Sequence, residues 1–450
     1  MPLVAGVSLK PATSMCVGGQ QQLYATIQPS DAGNKNVTWA SSDSAVAAVS
    51  DSGLVTGVSL GSADITVTTQ DGNWTAKCAV TVAPMTFASV VAGNLYSLAI
   101  DAYGSLWAWG LNGSGQLGLG DYWDRNAPVQ VGTANDWVAV SANTSWIPSP
   151  NGERRYPPLH TAAIKSDGSL WTWGSTYNTQ LGYEVYIGGG MYASAITTPR
   201  QMDTANDWKA VSVGYGCTLA IKNDGSLWGW GELGLGQNYD GIIKVPTRVG
   251  ADNDWVAVCR RTAIKADGSL WALGGNGPTR VGADNDWVYV SQSSYNSPNI
   301  HQMALKTDGS LWAWGRNSGG QLGDGTGDFL GDNPSAHKDF PVRVGTANNW
   351  KAVSAGSGYT LAIETDGSLW AWGTGYFDLI TYGNGTRNYW YVPICVSTAD
   401  DWVAVEASGT HALAIKADGS LWAWGDNDFG QLGLGDTTDR KAPTRVAGPK

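Results

Sequence analysis

The sequence predicts an all-β protein of two domains, a small β-sandwich followed by a seven-bladed β-propeller. Three observations carry that prediction. A variant of Asp-Gly-Ser-Leu-Trp-Ala-Trp-Gly recurs at Tyr103–Gly110, Asp167–Gly174, Asp224–Gly231, Asp267–Gly274, Asp308–Gly315, Asp366–Gly373 and Asp418–Gly425. Repeats of roughly 40–60 residues are too small to bury an apolar face alone and must form a stacked or circular array. The composition, with 60 Gly, 24 Trp and 14% charged residues in 450, suits short strands joined by tight turns.

Residues 1–83 lack the Trp-x-Trp repeat. Val7–Leu9, Gln21–Ile27, Asn36–Ala40, Ala45–Val49, Ala63–Thr69 and Ala76–Val82 are short alternating runs split by Gly, Pro, Asn and Asp. That pattern predicts a small antiparallel sandwich. The stretches VSLKPATSMCVGGQQQLYATIQPSDAGNKNVTWASSD, VAAVSDSGLVTGVSLGSADITVTT and AKCAVTV resemble the bacterial group 2 immunoglobulin-like domain across the whole segment. The resemblance implies a spacer or docking module of surface and virion proteins. It also sets the first strand's second half beside the last strand, so a Cys16–Cys78 disulfide is expected as a possibility.

Residues 84–86 form a short linker, and its brevity implies a stiff junction. From 87 to 450 each unit offers four strand-like pieces, seen in the sixth as Trp350–Ser354, Leu361–Glu364, Ser368–Gly373 and Pro393–Val396. An x-Asp-Gly turn joins the second and third pieces as a hairpin. Leu, Trp, Ala and Trp in succession put apolar groups on both strand faces, which suits a sheet covered on both sides, as in a propeller blade. Blades are expected in phase with the repeats, first strand inside, with proline opening an exposed fourth strand. A phase shift closing the ring with a strand from the other end of the chain is the alternative. The stretch HALAIKADGSLWAWGDNDFGQLGLGDTTDRKAPTRV resembles the regulator of chromosome condensation family, whose members form seven-bladed propellers that bind proteins. Such a fold does not by itself specify function.

Strand direction sends the first-to-second and third-to-fourth connections to one face, and nearly all length variation falls there. In repeat arrays that is where binding concentrates. Blade 2 carries Trp146, Arg154, Arg155 and Tyr156, then Tyr177, Tyr183, Tyr186 and Tyr192. Blade 5 carries Tyr295, and blade 6 carries Tyr376, Phe377, Tyr382, Tyr389, Trp390 and Tyr391, while blade 4 is trimmed to a notch. Loop tyrosines offer rigid amphipathic contact area, so these residues are the candidate partner-binding set. The competing expectation for any one of them is packing of a long loop onto the propeller.

The chemistry expected to be absent is equally specific. A net charge of -11 argues against a sequence-independent grip on nucleic acid, and no apolar run is long enough for membrane insertion. Five scattered cysteines and four histidines give no metal site, and no cofactor motif or catalytic set stands out from the repeat. Asp324, Asp328 and Asp332 fit no calcium loop. His160 and His411 share one repeated position, which predicts a structural hydrogen bond. The family's plant photoreceptor carries Gly-Trp-Arg-His-Thr, where this chain reads Gly-Tyr-Gly-Cys-Thr (214–218), Gly-Ser-Gly-Tyr-Thr (356–360) and Ser-Gly-Thr-His-Ala (408–412), so light sensing is not expected. Nucleotide exchange is not expected either, since no interaction residue carries over.

The expectation is a non-enzymatic, extracellular-facing binding protein. Its propeller loop face would take a protein or cell-surface glycan, and its immunoglobulin-like domain would dock to a particle or surface scaffold. The start, Met1–Val7, lacks the regions of a signal peptide, which favours a phage virion or injection-particle decoration protein over a bacterial cell-surface adhesin with a trimmed leader. A secreted inhibitor that plugs an enzyme through its propeller loops is the alternative.

Overall fold

The computed structural model describes residues 1–143, 159–188, 191–233, 242–274, 277–293, 300–327, 337–374 and 389–448. Strands Ala12–Cys16, Thr75–Ala83, Gly61–Thr69 and Val37–Ser41 form one sheet of the first domain, and Gln20–Gln22, Leu54–Gly57 and Ala47–Val49 the other. Burial alternates along both long strands, which places Ile65, Val67, Cys78, Val80 and Val82 in one core with Met15, Leu23 and Val55. The expected run Gln21–Ile27 divides, its second half (Thr26–Gln28) pairing instead with Gly6–Ser8.

Two expectations for this domain are corrected. The sandwich is not wholly antiparallel, because Ala12–Cys16 runs parallel to Ala79–Ala83. That register also separates the two cysteines. Cys16 lies opposite Ala83, about 16 Å along the strand from the level of Cys78, far beyond disulfide reach. Both thiols are free; Cys78 fills the sandwich core, whereas Cys16 joins the first core of the propeller.

Seven four-stranded antiparallel sheets follow, each in chain order: 87–130, 137–201, 208–248, 255–280, 287–343, 350–397 and 402–445. The first strands touch one another all round the ring, so they are innermost and the blades are in phase with the repeats. Proline does not open the fourth strand. Pro128, Pro199, Pro341 and Pro443 sit inside it, where the ladder to the third strand skips register. An outermost strand tolerates the missing N–H at such a bulge.

Adjacent blades are latched by the Gln-Leu-Gly step of the third-to-fourth connection. The Gln116 carbonyl of blade 1 accepts from the Trp173 indole (2.8 Å) and the Thr161 hydroxyl (2.9 Å) of blade 2. Gln180, Gln321 and Gln431 repeat this toward Trp230, Trp372 and Trp109, the last bond joining blade 7 to blade 1. Gly118, two residues after Gln116, has φ +75, and a Cβ there would lie 2.8 Å from the Trp173 ring nitrogen. Glycine thus serves both backbone and close approach.

His160, His301 and His411 reach across the same interfaces, each Nε2 2.8 Å from Thr218, Thr360 and Ser97 of the next blade. The structural role expected at His160 and His411 is therefore met, and His301 shares it.

On the turn side a lysine lies between two tryptophans. Lys165 Nζ stands 4.8 Å from the Trp137 ring and 4.9 Å from the Trp171 ring, with Asp136 at 3.0 Å. Lys222, Lys265, Lys306 and Lys416 repeat the arrangement. Blade 1 departs from it, with Asp101 in the lysine position. Its carboxylate accepts from the Trp107 indole (2.9 Å) and the Tyr103 and Ser105 amides, and the Cys16 thiol donates to it at 3.5 Å. Burial first, then the Asp101 charge, pushes that thiol up to about 12, so it remains protonated. Gln20 and Gln130 add a reciprocal pair of bonds across the junction, at 2.6 and 2.8 Å.

Two outcomes follow from these latches. Gly118→Ala should cost about 1–3 kcal/mol in thermal or urea unfolding, from backbone strain plus the clash with Trp173. Burial holds His160 and His411 down at about 3, so the folded chain refuses protons that the unfolded chain takes up below about 6.5. Stability should therefore fall as pH drops from about 6.5 toward 3, and His411→Gln should flatten that limb in melting-temperature measurements against pH.

Candidate functional site

The loop face divides the tyrosines expected to bind a partner. An inserted hairpin in blade 2, Tyr186–Gly188 paired with Met191–Tyr192, stands out from the propeller. Tyr186 and Tyr192 are cross-strand partners in edge-to-face contact, with centroids 5.6 Å apart. These two, Ile187, Met191 and nearby Tyr177 are each more than half exposed. Behind the hairpin an open groove of about 340 Å³ is lined by Asn178, Glu184, Tyr192 and Lys244, with Lys244 Nζ 3.4 Å from Glu184.

Others in the set are structural. The Tyr183 hydroxyl donates to the Thr172 carbonyl (3.1 Å) under the Arg200 guanidinium, 4.8 Å from its ring. Trp390 packs against the cores on both sides of blade 6. The Tyr391 ring lies so close to Gly320 and Gly327 that neither position has room for a Cβ. Tyr389 opens the same strand and is half-buried. Trp146, Arg154, Arg155, Tyr156, Tyr295, Tyr376, Phe377 and Tyr382 lie outside the described residues. The structure adds Tyr122 and Trp123 to the loop face, both exposed at the tip of blade 1's third-to-fourth connection.

A second cluster, which sequence reasoning missed, lies on the axis. The fifth residue of the first strands is Val91, Ser141, Ser212, Cys259, Ser291, Ser354 and Glu406 in turn around the ring. Small side chains suit the crowded centre. The Ser141, Ser212, Ser291 and Ser354 hydroxyls each accept a backbone N–H from the next blade, at 2.7–3.0 Å. Glu406 breaks that ring. Tyr289 breaks the neighbouring one, where five other blades have Ala and blade 1 has Ser89.

In blade 4 the trimmed connection is a tight turn through Arg260, which holds φ 50. A non-glycine residue held there costs about 1 kcal/mol or more. Arg260 acts electrostatically on both Glu406 and Tyr289, and Glu406 acts on Tyr289. Tyr289 keeps 40% of its surface open to water. Burial raises Glu406 to about 7 against the opposing pull of Arg260 and of the Ser354 hydroxyl, 3.4 Å away. The sequence signal was present as repeat departures, Val-Glu-Ala for Val-Ser-Ala and Val-Tyr-Val for Val-Ala-Val. Among the described residues no group of three or more His, Cys, Asp or Glu is placed to hold a metal.

Comparison with known proteins divides the chain as its sheets do. Residues 3–80 match the bacterial Ig-like domain (group 2). Residues 103–143, 167–221, 308–363 and 418–450 match the regulator of chromosome condensation (RCC1) repeat, and a second form of that repeat matches 350–378 and 402–431. The Ultraviolet-B receptor UVR8 of Arabidopsis thaliana is 26% identical over 416 residues, covering 81% of this chain and 82% of the receptor. Prp20p of Saccharomyces cerevisiae, whose structure was described with its binding to Gsp1p and histones, superposes with a TM-score of 0.61 at 18% identity, covering 81% of this chain and 88% of that one. Human WBSCR16 gives 0.60 at 18% identity, over 77% and 95%. These two likenesses concern the fold.

The axial cluster carries its own pH signature. Folded Glu406 keeps a proton that the unfolded chain releases above about 4.5, so its contribution to stability is lost as pH rises from about 4.5 to about 7. Glu406→Gln removes that loss. Melting curves at pH 5 and pH 8 should show the variant gaining on the native chain at the higher pH.

Proposed function

We propose, for a chain built of a group 2 bacterial immunoglobulin-like domain followed by RCC1-type propeller repeats, a non-enzymatic binding role in which the propeller's loop face captures a partner. The observation that carries this reading is the blade 2 hairpin, with Tyr177, Tyr186, Ile187, Met191 and Tyr192 all held out in water. Clustered exposed apolar groups of this kind on a soluble fold mark contact surfaces, and paired tyrosines order little on binding because they are already rigid. The Glu184–Lys244 pair and Asn178 give the polar rim that such a centre requires.

The immunoglobulin-like domain docks or spaces the propeller at an extracellular surface, a phage virion or injection particle before a bacterial cell surface. The junction supports that arrangement: Asp101, Cys16, Gln20 and Gln130 fasten the two domains, so a force or orientation applied to one is passed to the other.

Two measurements test this. Mass spectrometry of purified particles, cell envelope and medium should locate the chain in particles at fixed copy number; presence in the cytosol alone refutes the extracellular reading. Replacing Tyr186 and Tyr192 together by alanine should weaken binding of the partner recovered from that fraction by about tenfold or more, with an unchanged melting temperature. Unaltered affinity would remove the hairpin from the contact.

A further inference from the structure

We propose that the immunoglobulin-like domain pairs two copies of this chain, the edge strand Val37–Ser41 of one lying antiparallel to the same strand of the other. Main-chain hydrogen bonding fixes which way that strand faces. The Gln70 amide donates to the Asn36 carbonyl (3.0 Å) and the Ser42 amide to the Asp64 carbonyl (2.9 Å). In the register between them Thr38 lies opposite Thr68 and Ala40 opposite Thr66, so Asn36, Thr38, Ala40 and Ser42 bond inward to the neighbouring strand. The alternating ladder turns the N–H and C=O groups of Val37, Trp39 and Ser41 outward, where no strand of the sheet adjoins them. Other edges are guarded. Every outer strand of the seven blades contains a proline, as at Pro246, Pro278 and Pro393. Gln20–Gln22 and Ala47–Val49 are three residues long, and Ala12–Cys16 ends in the propeller core through Cys16. Val37–Ser41 runs five residues without proline, charge or register shift. Such an edge is a template for pairing with another chain.

Charge complementarity selects a second copy as the occupant. A two-fold axis at Trp39 makes hydrogen-bonded pairs of Trp39 with Trp39 and of Val37 with Ser41, roughly six bonds in all. Continued by two residues at each end, that register sets Lys35 opposite Asp43 of the other copy, an opposite-charge pair made twice. Among the described residues Lys35 has no ion pair or hydrogen bond, and Asp43 uses one oxygen, on the Ala45 amide at 3.0 Å. Apolar surface lies beside the same edge. Val37 and Trp39 are only half-buried, and with Leu23, Ile27 and the exposed Tyr24 they line an open groove of about 420 Å³. The Trp39 ring is already fixed against Gly53, where a Cβ would meet it at 2.7 Å, so pairing orders little that is loose. The edge also lies away from the propeller. It is the far strand of its sheet, roughly 14 Å across from Ala12–Cys16, which carries the propeller contact. Pairing therefore joins two four-stranded sheets into one, with a propeller at either end. It does not depend on the role proposed for the propeller's loop face.

Sedimentation velocity of the full chain tests this. The expected result is a rise from 47.4 kDa toward twice that mass with concentration, at a dissociation constant in the micromolar range that suits a small interface. Val37→Pro keeps an apolar side chain and every bond to the neighbouring strand, because the N–H it removes points outward. It should weaken the dimer about tenfold or more. Lys35→Glu sets like charges opposite each other at both ends and should weaken it several-fold, most at low salt. Lys35 is exposed, so its variant decides alone if Val37→Pro does not fold. A chain that stays monomeric to about 200 µM overturns the proposal, even where another protein's strand uses the edge. So does a dimer that neither variant weakens.

Discussion

A buried indole N–H needs an acceptor, and for four tryptophans of this ring the acceptor belongs to the neighbouring blade. Trp109, Trp173, Trp230 and Trp372 each donate to a glutamine carbonyl across an interface. An unpaired donor in such a core costs about 1–3 kcal/mol, so the bond constrains both partners. It fixes the base of the third-to-fourth connection, and Asn112 finishes the job in blade 1 by accepting from the Leu117 amide at 3.0 Å. Loops that look free to vary on this face therefore rise from anchored feet. The same constraint explains why Trp-x-Trp is so regular. One tryptophan seals the blade-to-blade interface, while in five blades the other stacks against that blade's lysine.

Against so regular a background, departures carry the information. Asp101 stands where five blades have lysine, and it is the residue that receives Cys16 from the first domain. Repacking that position with lysine would bury a cation against a thiol instead of an acceptor. Glu406 and Tyr289 depart in the same manner at the axis. Neither residue is unusual in itself; each is unusual only for its place in the repeat.

The fold was legible because both of its signals are local. Asp-Gly turns and apolar groups on both faces of Leu106–Gly110 need no long-range knowledge to interpret. The cysteine pairing failed because a parallel strand pair can slide without altering either strand's pattern, and only the register places Cys16 opposite Ala83. Proline was misplaced because a bulge inside an edge strand and the start of that strand read alike in sequence. Among the loop residues, Tyr186 and Tyr183 are three positions apart and equally aromatic. One ends in water and the other under Arg200, a difference set by a hairpin and by a partner on the next strand. The axial cluster was missed for a related reason, since its members come from blades 4, 5 and 7 and share no stretch of sequence.

Ring closure relies on no exchanged strand. Thr86 and Phe87 occupy the place that every other blade gives to an interblade link, with the Phe87 N–H donating to Gly419 O at 2.8 Å just as Trp137 does to Gly104 at 3.0 Å. Ser97 meets the Gln431 carbonyl across 334 residues of chain. During synthesis blade 1 therefore emerges with one apolar flank and its Trp109 indole uncovered, and they stay so until the last blade has left the ribosome. Long-range closure of this kind is slow, and exposed sheet flanks are sticky while it waits. The sandwich domain is made first and seats against that blade through Cys16, with Met85 of the linker beside it, covering part of its surface during the longest interval of vulnerability. The N-terminal domain, being made first, is thus already in place against blade 1 while the rest of the ring is still to come.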